Sequence, residues 1–146
     1  MKKMIIMLAI TISTVNAFAG EENVNQQVLN AFKTEFTTAK DVNWTVAQNY
    51  YMATFFYNDK YVYAYYNEGG DLLGVSRHIR LENLPISLQA TLKNKYYKNY
   101  WISDLIEVSK NNTIQYYITL ENADKQLVLQ SSGSNQWRVY QTISKI

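Results

Sequence analysis

The segment YYMATFFYNDKYVYAYY, residues 50–66, decides the fold, because aromatic and apolar side chains alternate along it in two runs. A period of two is typical of β-strands, in which successive side chains point to opposite faces of a sheet. Asn58 and Asp59 separate the runs, and both residue types tolerate the left-handed backbone of a tight hairpin turn. The segment therefore predicts antiparallel strands at 50–57 and 60–68.

Two further strands are expected to flank this hairpin. Turn-forming residues at Gln48-Asn49 and at Glu68-Gly69-Gly70-Asp71 bound predicted strands over 42–47 and 71–81. The Gly69-Gly70 pair suits a two-residue primed turn, which requires positive φ. Because connections this short demand antiparallel pairing, residues 42–81 predict a four-stranded meander.

Apolar residues before and after the meander recur every three to four positions, which is typical of amphipathic helices. The first stretch predicts a helix over about 24–39. The second predicts a helix that begins after Pro85, a residue suited to the first helical turn. The apolar positions are Val24, Val28, Leu29, Phe32 and Phe36 in the first stretch and Leu88, Leu92 and Tyr96 in the second.

Alternation returns after the second helix and predicts strands at about 100–108, 113–121, 125–132 and 136–143. The predicted fold class is therefore α+β, with two tandem helix-plus-four-stranded antiparallel sheet repeats. Repeat one covers about 24–82 and repeat two about 84–146. Since an antiparallel sheet tolerates one solvated face, each helix is expected to cover one face of its own sheet and leave the other face open.

The first 19 residues have the pattern of a secretory signal peptide. Lys2 and Lys3 precede the apolar core Met4 to Ile12, and Ala17-Phe18-Ala19 supplies an A-x-A cleavage motif. We expect cleavage after Ala19, with Ala17 as the alternative, and a periplasmic or secreted domain of residues 20–146. The apolar core is shorter than the roughly 20 residues of a membrane span, so no membrane insertion is expected after cleavage.

The composition excludes several classes of protein. The chain has no cysteine, which excludes disulfides, Cys-ligated zinc and thiol nucleophiles, and its one histidine, His78, cannot form a multi-histidine metal site. Of the 14 basic residues, Lys2 and Lys3 lie in the signal, so the rest of the chain balances its 12 acidic residues. Nucleic-acid binding requires clustered basic residues, whereas these are scattered. We expect no nucleic-acid partner and no cofactor.

Catalytic and metal-binding patterns are weak. Ser76 and His78 share one face of the predicted strand 71–81, but no carboxylate orienter or oxyanion turn accompanies them. Glu68 and Asp71 could hold a calcium ion together with Asn67, but calcium needs six to eight oxygen ligands and a plain hairpin turn explains every residue. We predict no catalytic residue and no metal site.

Several short motifs together indicate a family. The runs Ala53-Thr54-Phe55, AYYNEGGDLL at 64–73, Leu84-Pro85 and YYKNYWI at 96–102 resemble the PepSY-like, β-lactamase-inhibitor-like (BLIP-like) exported proteins. The resemblance covers nearly the whole chain after the signal. It implies a BLIP-like fold of two helix-plus-four-strand units and a periplasmic protein without known catalysis.

The best candidate binding residues are the tyrosines of the predicted strand 60–68. Tyr61, Tyr63 and Tyr65 alternate with residues that include Tyr66, so both faces of the strand are aromatic. One set must pack under the helix, and the other is expected on the open face, where tyrosine is a frequent interface hot spot. Cross-strand packing that stabilises the sheet is the alternative interpretation.

The family resemblance adds Asp59 to these candidates. In the inhibitor-like scaffold a partner-binding hairpin of the first repeat presents an acidic residue followed by aromatic residues, and Asp59-Lys60-Tyr61 is similar to it. This implies that Asp59 anchors a cationic pocket of a partner while Tyr61 packs at its rim. The alternative is that Asp59 serves only the backbone geometry of the turn.

Together these patterns predict a non-catalytic binding module, inhibitor-like in its scaffold, that engages an unknown protein or peptide through an aromatic sheet face. Two alternatives stay open. One is a structural or stress-related envelope protein that self-associates through this face, and the other is a small-ligand carrier with a pocket between helix and sheet. A monomer or weak dimer is expected.

Overall fold

The computed structural model describes residues 18–131 and 135–145. Within these residues, nine strands form one antiparallel sheet in which each strand pairs with its neighbours along the chain. Helix α1 (Gln26–Glu35) precedes the second strand and α2 (Ile86–Lys95) precedes the sixth. The strands are β1 (Phe18–Ala19), β2 (Lys40–Val46), β3 (Tyr51–Tyr57), β4 (Lys60–Tyr66), β5 (Leu72–His78), β6 (Trp101–Lys110), β7 (Thr113–Glu121), β8 (Lys125–Ser131) and β9 (Arg138–Ser144).

The α+β class and the antiparallel sheet are confirmed, and the element bounds differ from the predicted ones mainly at the ends. The helix expected over 24–39 is shorter, because Glu21–Asn23 form a 3-10 turn and Asn25 caps α1. The Asn25 Oδ1 atom accepts a hydrogen bond from the backbone N–H of Val28 at 3.0 Å. This capping bond satisfies one of the free N–H groups at the start of the helix.

A separate sheet for each helix was the wrong expectation. Strands β5 and β6 pair with each other from Val75↔Ser109 to His78↔Ile106, so the sheet is continuous. The physical reason is that two separate meanders would leave β5 and β6 as edges with unpaired backbone groups, and their pairing satisfies these groups.

The hairpin turns follow the predictions in part. Asn58 and Asp59 have φ of 48° and 61°, so the predicted left-handed turn is confirmed. The prediction of a primed turn at Gly69-Gly70 is wrong, because of these two glycines only Gly70 has positive φ, at 85°. Instead the Asn67 backbone N–H donates to the Asp71 carbonyl at 3.0 Å, and the Asn67 Oδ1 atom accepts from the Asp71 N–H at 2.9 Å. These bonds close a wider loop.

Both helices lie on the same face of the sheet. Val75 packs in the cluster under α1 and Leu105 in the cluster under α2, and the pairing of Arg77 with Glu107 places these positions on one face. The core therefore consists of two neighbouring clusters on this covered face. The first contains Val24, Val28, Leu29, Phe32, Trp44, Ala53, Phe55, Val62, Ala64 and Tyr66, and the second Leu84, Leu88, Leu92, Leu105, Ile118, Leu120, Leu127 and Leu129.

Tyr66 links the sheet to α1. Its side chain is fully buried, and its hydroxyl donates to the Glu35 Oε2 atom at 2.7 Å. Burial, helped by the nearby Glu35 carboxylate, raises the pKa of Tyr66 far above its usual value. The native state therefore holds the proton of this phenol more tightly than the unfolded chain does.

Above about pH 10, where tyrosines of the unfolded chain ionise, we expect Tyr66 to favour unfolding. Its contribution to stability is complete below that pH and declines as the pH rises toward the folded pKa. Tyr66→Phe should cost about 1 kcal/mol at pH 7, where the hydrogen bond to Glu35 is lost, and should shift alkaline unfolding to higher pH. Circular dichroism between pH 8 and 12 measures this shift, with the exposed Tyr61→Phe as control. An unchanged midpoint for Tyr66→Phe would contradict the assignment.

The predicted signal falls mostly outside the described residues. Only Phe18 and Ala19 belong to them, and as β1 they pair with Thr45 and Trp44 of β2. Cleavage after Ala19 stays a prediction. In the part of the chain that the structure describes, neither helix has the length and apolar character needed to cross a bilayer.

Candidate functional site

The sheet face opposite the helices, called the open face below, carries the predicted tyrosines. On β4, Val62, Ala64 and Tyr66 are only 8%, 0% and 0% exposed beneath α1. Because side chains alternate along a strand, Tyr61 and Tyr63, and with them Tyr65, lie on the open face. The sequence left undecided which face points outward, and the structure decides it.

Neighbouring strands extend these tyrosines into a continuous aromatic surface, defined by Tyr50, Phe56, Tyr61, Tyr63 and Tyr65. The rings of Phe56 and Tyr61, directly opposite each other on β3 and β4, lie 5.4 Å apart, and those of Tyr50 and Tyr65 lie 5.8 Å apart. Both pairs are edge-to-face, the geometry that aromatic rings prefer. Tyr61 is the most accessible, at 60% exposed.

Tyr65 differs from Tyr61 in its surroundings. It lies opposite Gly74 on β5, and its hydroxyl is 3.4 Å from the Oγ atom of the buried Ser76. Burial raises the pKa of the Tyr65 phenol above its usual value. Tyr65 therefore covers the sheet at Gly74 and Ser76 as well as contributing to the aromatic surface.

A polar pair borders the aromatic surface where β5 meets β6. The His78 ring lies 5.7 Å from the Tyr63 ring, and its Nδ1 atom is 2.9 Å from the Asp104 Oδ1 atom. An ionised carboxylate only accepts hydrogen bonds, so this contact assigns the proton to Nδ1 and leaves the Nε2 atom for other partners. Sequence reasoning missed Asp104, because only the β5–β6 pairing brings it to His78.

The structure does not bring Ser76 and His78 together as a catalytic pair. The Ser76 Oγ atom contacts the Tyr65 hydroxyl, whereas His78 contacts Asp104. Among the described residues no group of three or more His, Asp or Glu side chains is placed to hold a metal ion.

Asp59 lies at the tip of the β3–β4 hairpin, next to the Tyr61 end of the aromatic surface. It is exposed, and among the described residues its carboxylate has no hydrogen bond or ion pair. Tyr65 stands four residues from Tyr61 along β4, about 13 Å away at the usual rise of a strand. The structure thus places Asp59 beside Tyr61 and well apart from Tyr65.

The open face continues across the second half of the sheet with phenol and amide groups that sequence reasoning did not single out. The rings of Tyr117 and Tyr140 lie 5.4 Å apart. The Tyr117 hydroxyl accepts from the Gln130 Nε2 atom at 2.7 Å and donates to the Gln115 Oε1 atom at 3.1 Å. The alternation of β7 placed Gln115 and Tyr117 on one face, but the contacts to β8 and β9 depend on the tertiary structure.

A lysine–glutamate ion pair compensates two of the charges on this side of the sheet. At its far end, the Lys145 Nζ atom lies 2.8 Å from the Glu121 Oε2 atom and 5.1 Å from the centre of the Trp101 ring. Its hydrogen bond holds the pKa of the Glu121 carboxyl below the usual value. The side chains that define the aromatic surface are phenyl and phenol groups.

These features define a class of protein: an α+β domain whose helices cover one face of an antiparallel sheet and leave an aromatic face open. No family model matches the chain, and no curated protein matches it. Solved structures do match. A BLIP-like protein from Bacteroides fragilis is 17% identical with a TM-score of 0.67, and the alignment covers 83% of this chain and 86% of that chain.

Two further solved structures have a similar fold. A DUF2874 family protein from Bacteroides ovatus is 20% identical with a TM-score of 0.70, covering 82% of this chain and 86% of that one. A proposed periplasmic protein from Bacteroides eggerthii is 13% identical with a TM-score of 0.72, covering 83% and 88%. The chain therefore has a BLIP-like fold, as the resemblance implied, and the PepSY part of that resemblance stays a prediction.

Proposed function

We propose that this protein is a non-catalytic binding module that engages a protein or peptide through its open face. The observation that carries the proposal is the aromatic surface on the face that neither helix covers. Tyrosine-rich, weakly charged surfaces have the composition of the buried centre of protein interfaces. Tyr61, Tyr63 and Tyr65 supply the contact area in this proposal, and Asp59 supplies a charged anchor at its edge.

A periplasmic location is part of the proposal. The signal pattern of residues 1–19 supports it, as does the likeness to a proposed periplasmic protein. We also infer that residues 20–146 arose by duplication of a helix-plus-four-strand unit, one copy at about 24–82 and the other at about 84–146. The element order, in which a 3-10 turn and a helix precede four strands in both halves, supports this inference.

The absence of catalysis is inferred from the site. In the described residues, Ser76 and His78 have separate partners, and the similar structures are BLIP-like and DUF2874 proteins rather than enzymes of stated activity. Inhibition of an enzyme is a narrower form of the same proposal, because an inhibitor also acts by covering its target.

The test is affinity capture from an envelope extract with the purified protein immobilised, followed by measurement of the dissociation constant for the captured partner. A specific partner that binds the wild-type protein and not an open-face variant supports the proposal. Equal capture by both would overturn it.

Asp59→Asn separates the two interpretations of this residue. Asparagine keeps the left-handed turn, so the stability should be unchanged, whereas removal of the negative charge should weaken partner binding about tenfold or more if the carboxylate pairs with a cation. Asp59→Ala is the matched control for the turn and should cost about 1 kcal/mol in urea unfolding, because alanine disfavours positive φ. Unchanged affinity for Asp59→Asn would assign the residue to the turn alone.

A further inference from the structure

A cavity lies on the covered side of the sheet, between α1 and the edge of β2, separate from the open face. Its volume is about 620 Å³, within the range of about 300–1,000 Å³ typical of small-molecule sites. The apolar part of its lining comes from α1, the α1–β2 connection and β2. These residues are Leu29, Phe32, Phe36, Ala39, Val42 and Trp44.

Trp44 supplies a polar group in this apolar lining. Its side chain is only 5% exposed, and its ring packs edge-to-face against Phe32 at 5.2 Å. Among the described residues no acceptor pairs with its indole Nε1–H, and this atom is not one of the fully buried side-chain atoms without a partner, so solvent reaches it. Trp137 shows the usual arrangement, since its Nε1–H donates to the Leu88 carbonyl at 3.1 Å. A ligand in the cavity with a hydrogen-bond acceptor would bind the Trp44 Nε1–H.

The charges at the cavity compensate each other. The Lys33 Nζ atom lies 3.0 Å from the Glu21 Oε1 atom, and both residues line the cavity. This ion pair links α1 to the 3-10 turn that precedes it. Since the two opposite charges pair with each other, neither requires a charged ligand as its partner.

We propose that this cavity binds a small uncharged apolar molecule that carries one oxygen acceptor, such as a ketone or an ester. The oxygen accepts a hydrogen bond from the Trp44 Nε1–H, and the hydrocarbon part packs against Leu29, Phe36 and Val42. The site is independent of the proposed function, because its residues lie on the covered side of the sheet.

The test is a titration with two matched probes, 2-octanone and n-octane, followed by proton–nitrogen correlation NMR. The sequence has three tryptophans, and the indole signal of Trp44 is identified as the one absent from Trp44→Phe. We expect 2-octanone to move this signal downfield in a saturable way, because its carbonyl oxygen accepts the Trp44 hydrogen bond. Trp44→Phe should leave n-octane binding unchanged and weaken 2-octanone binding about fivefold, the cost of one net hydrogen bond.

Two controls keep the proposal testable if Trp44→Phe folds poorly. Ala39→Phe fills the cavity and should block binding of both probes while the Trp44 signal remains. Trp101→Phe, at an exposed site, should leave the binding of both probes unchanged. Absence of a saturable shift of the Trp44 signal would overturn the proposal. So would sodium octanoate binding tenfold more tightly than 2-octanone, because this result would make the cavity an anion site.

Discussion

Replacing Phe32 with alanine is expected to lower the free energy of unfolding by about 3 to 5 kcal/mol, the usual cost of deleting a buried aromatic ring. Phe32 is only 5% exposed and stands at the centre of the cluster under α1. Its ring centre lies 4.9 Å from that of Phe55 and 5.2 Å from that of Trp44. Alanine would remove the contacts that hold α1 against β2 and β3.

Urea unfolding followed by circular dichroism measures this loss. Ile86→Ala is the control, since Ile86 is 83% exposed on α2 and its truncation should change stability by no more than about 0.5 kcal/mol. A loss below about 1 kcal/mol for Phe32→Ala would show that α1 does not depend on this ring.

The second large effect concerns the aromatic surface. Changing Tyr63 and Tyr65 together to serine should abolish partner capture while unfolding stays cooperative. Because Tyr65 also covers Gly74 and Ser76, part of the effect of this variant will be lost stability. Tyr61→Ser with Tyr63→Ser is therefore the sharper variant. It should weaken binding by at least about 100-fold, since interface hot spots contribute about 2 kcal/mol or more each.

Tyr117→Ser provides the matched control, because Tyr117 lies on the same face in the second half of the sheet. If it weakens capture as strongly as the Tyr61/Tyr63 variant, the partner spans the whole open face. If the Tyr61/Tyr63 variant binds normally, the aromatic surface serves only the packing of the sheet. Analytical ultracentrifugation adds a separate outcome, since a dimer that the variant dissociates would identify a second copy of the chain as the partner.

Local patterns predicted most of the secondary structure. The alternation in 50–66 placed the β3–β4 hairpin and its left-handed turn at Asn58 and Asp59, because both depend on neighbouring residues alone. The Gly69-Gly70 turn was predicted wrongly, because the Asn67 and Asp71 side chains form hydrogen bonds that the glycine pair does not reveal.

The site was predictable in part. Sequence alternation placed Tyr61, Tyr63 and Tyr65 on one face, but it could not choose between that face and the one with Tyr66, because both are aromatic. The contact of His78 with Asp104 could not be predicted either, since 26 residues separate them and the pairing of β5 with β6 brings them together.

The order of helices and strands, and the set of side chains that share each face, follow from local sequence patterns, because helical and strand periodicities are local properties of the chain. Tertiary packing, by contrast, places both halves in one sheet and both helices on one face of it, and it brings Trp44 to the wall of a cavity. These outcomes depend on contacts between distant segments, whose geometry no local pattern specifies.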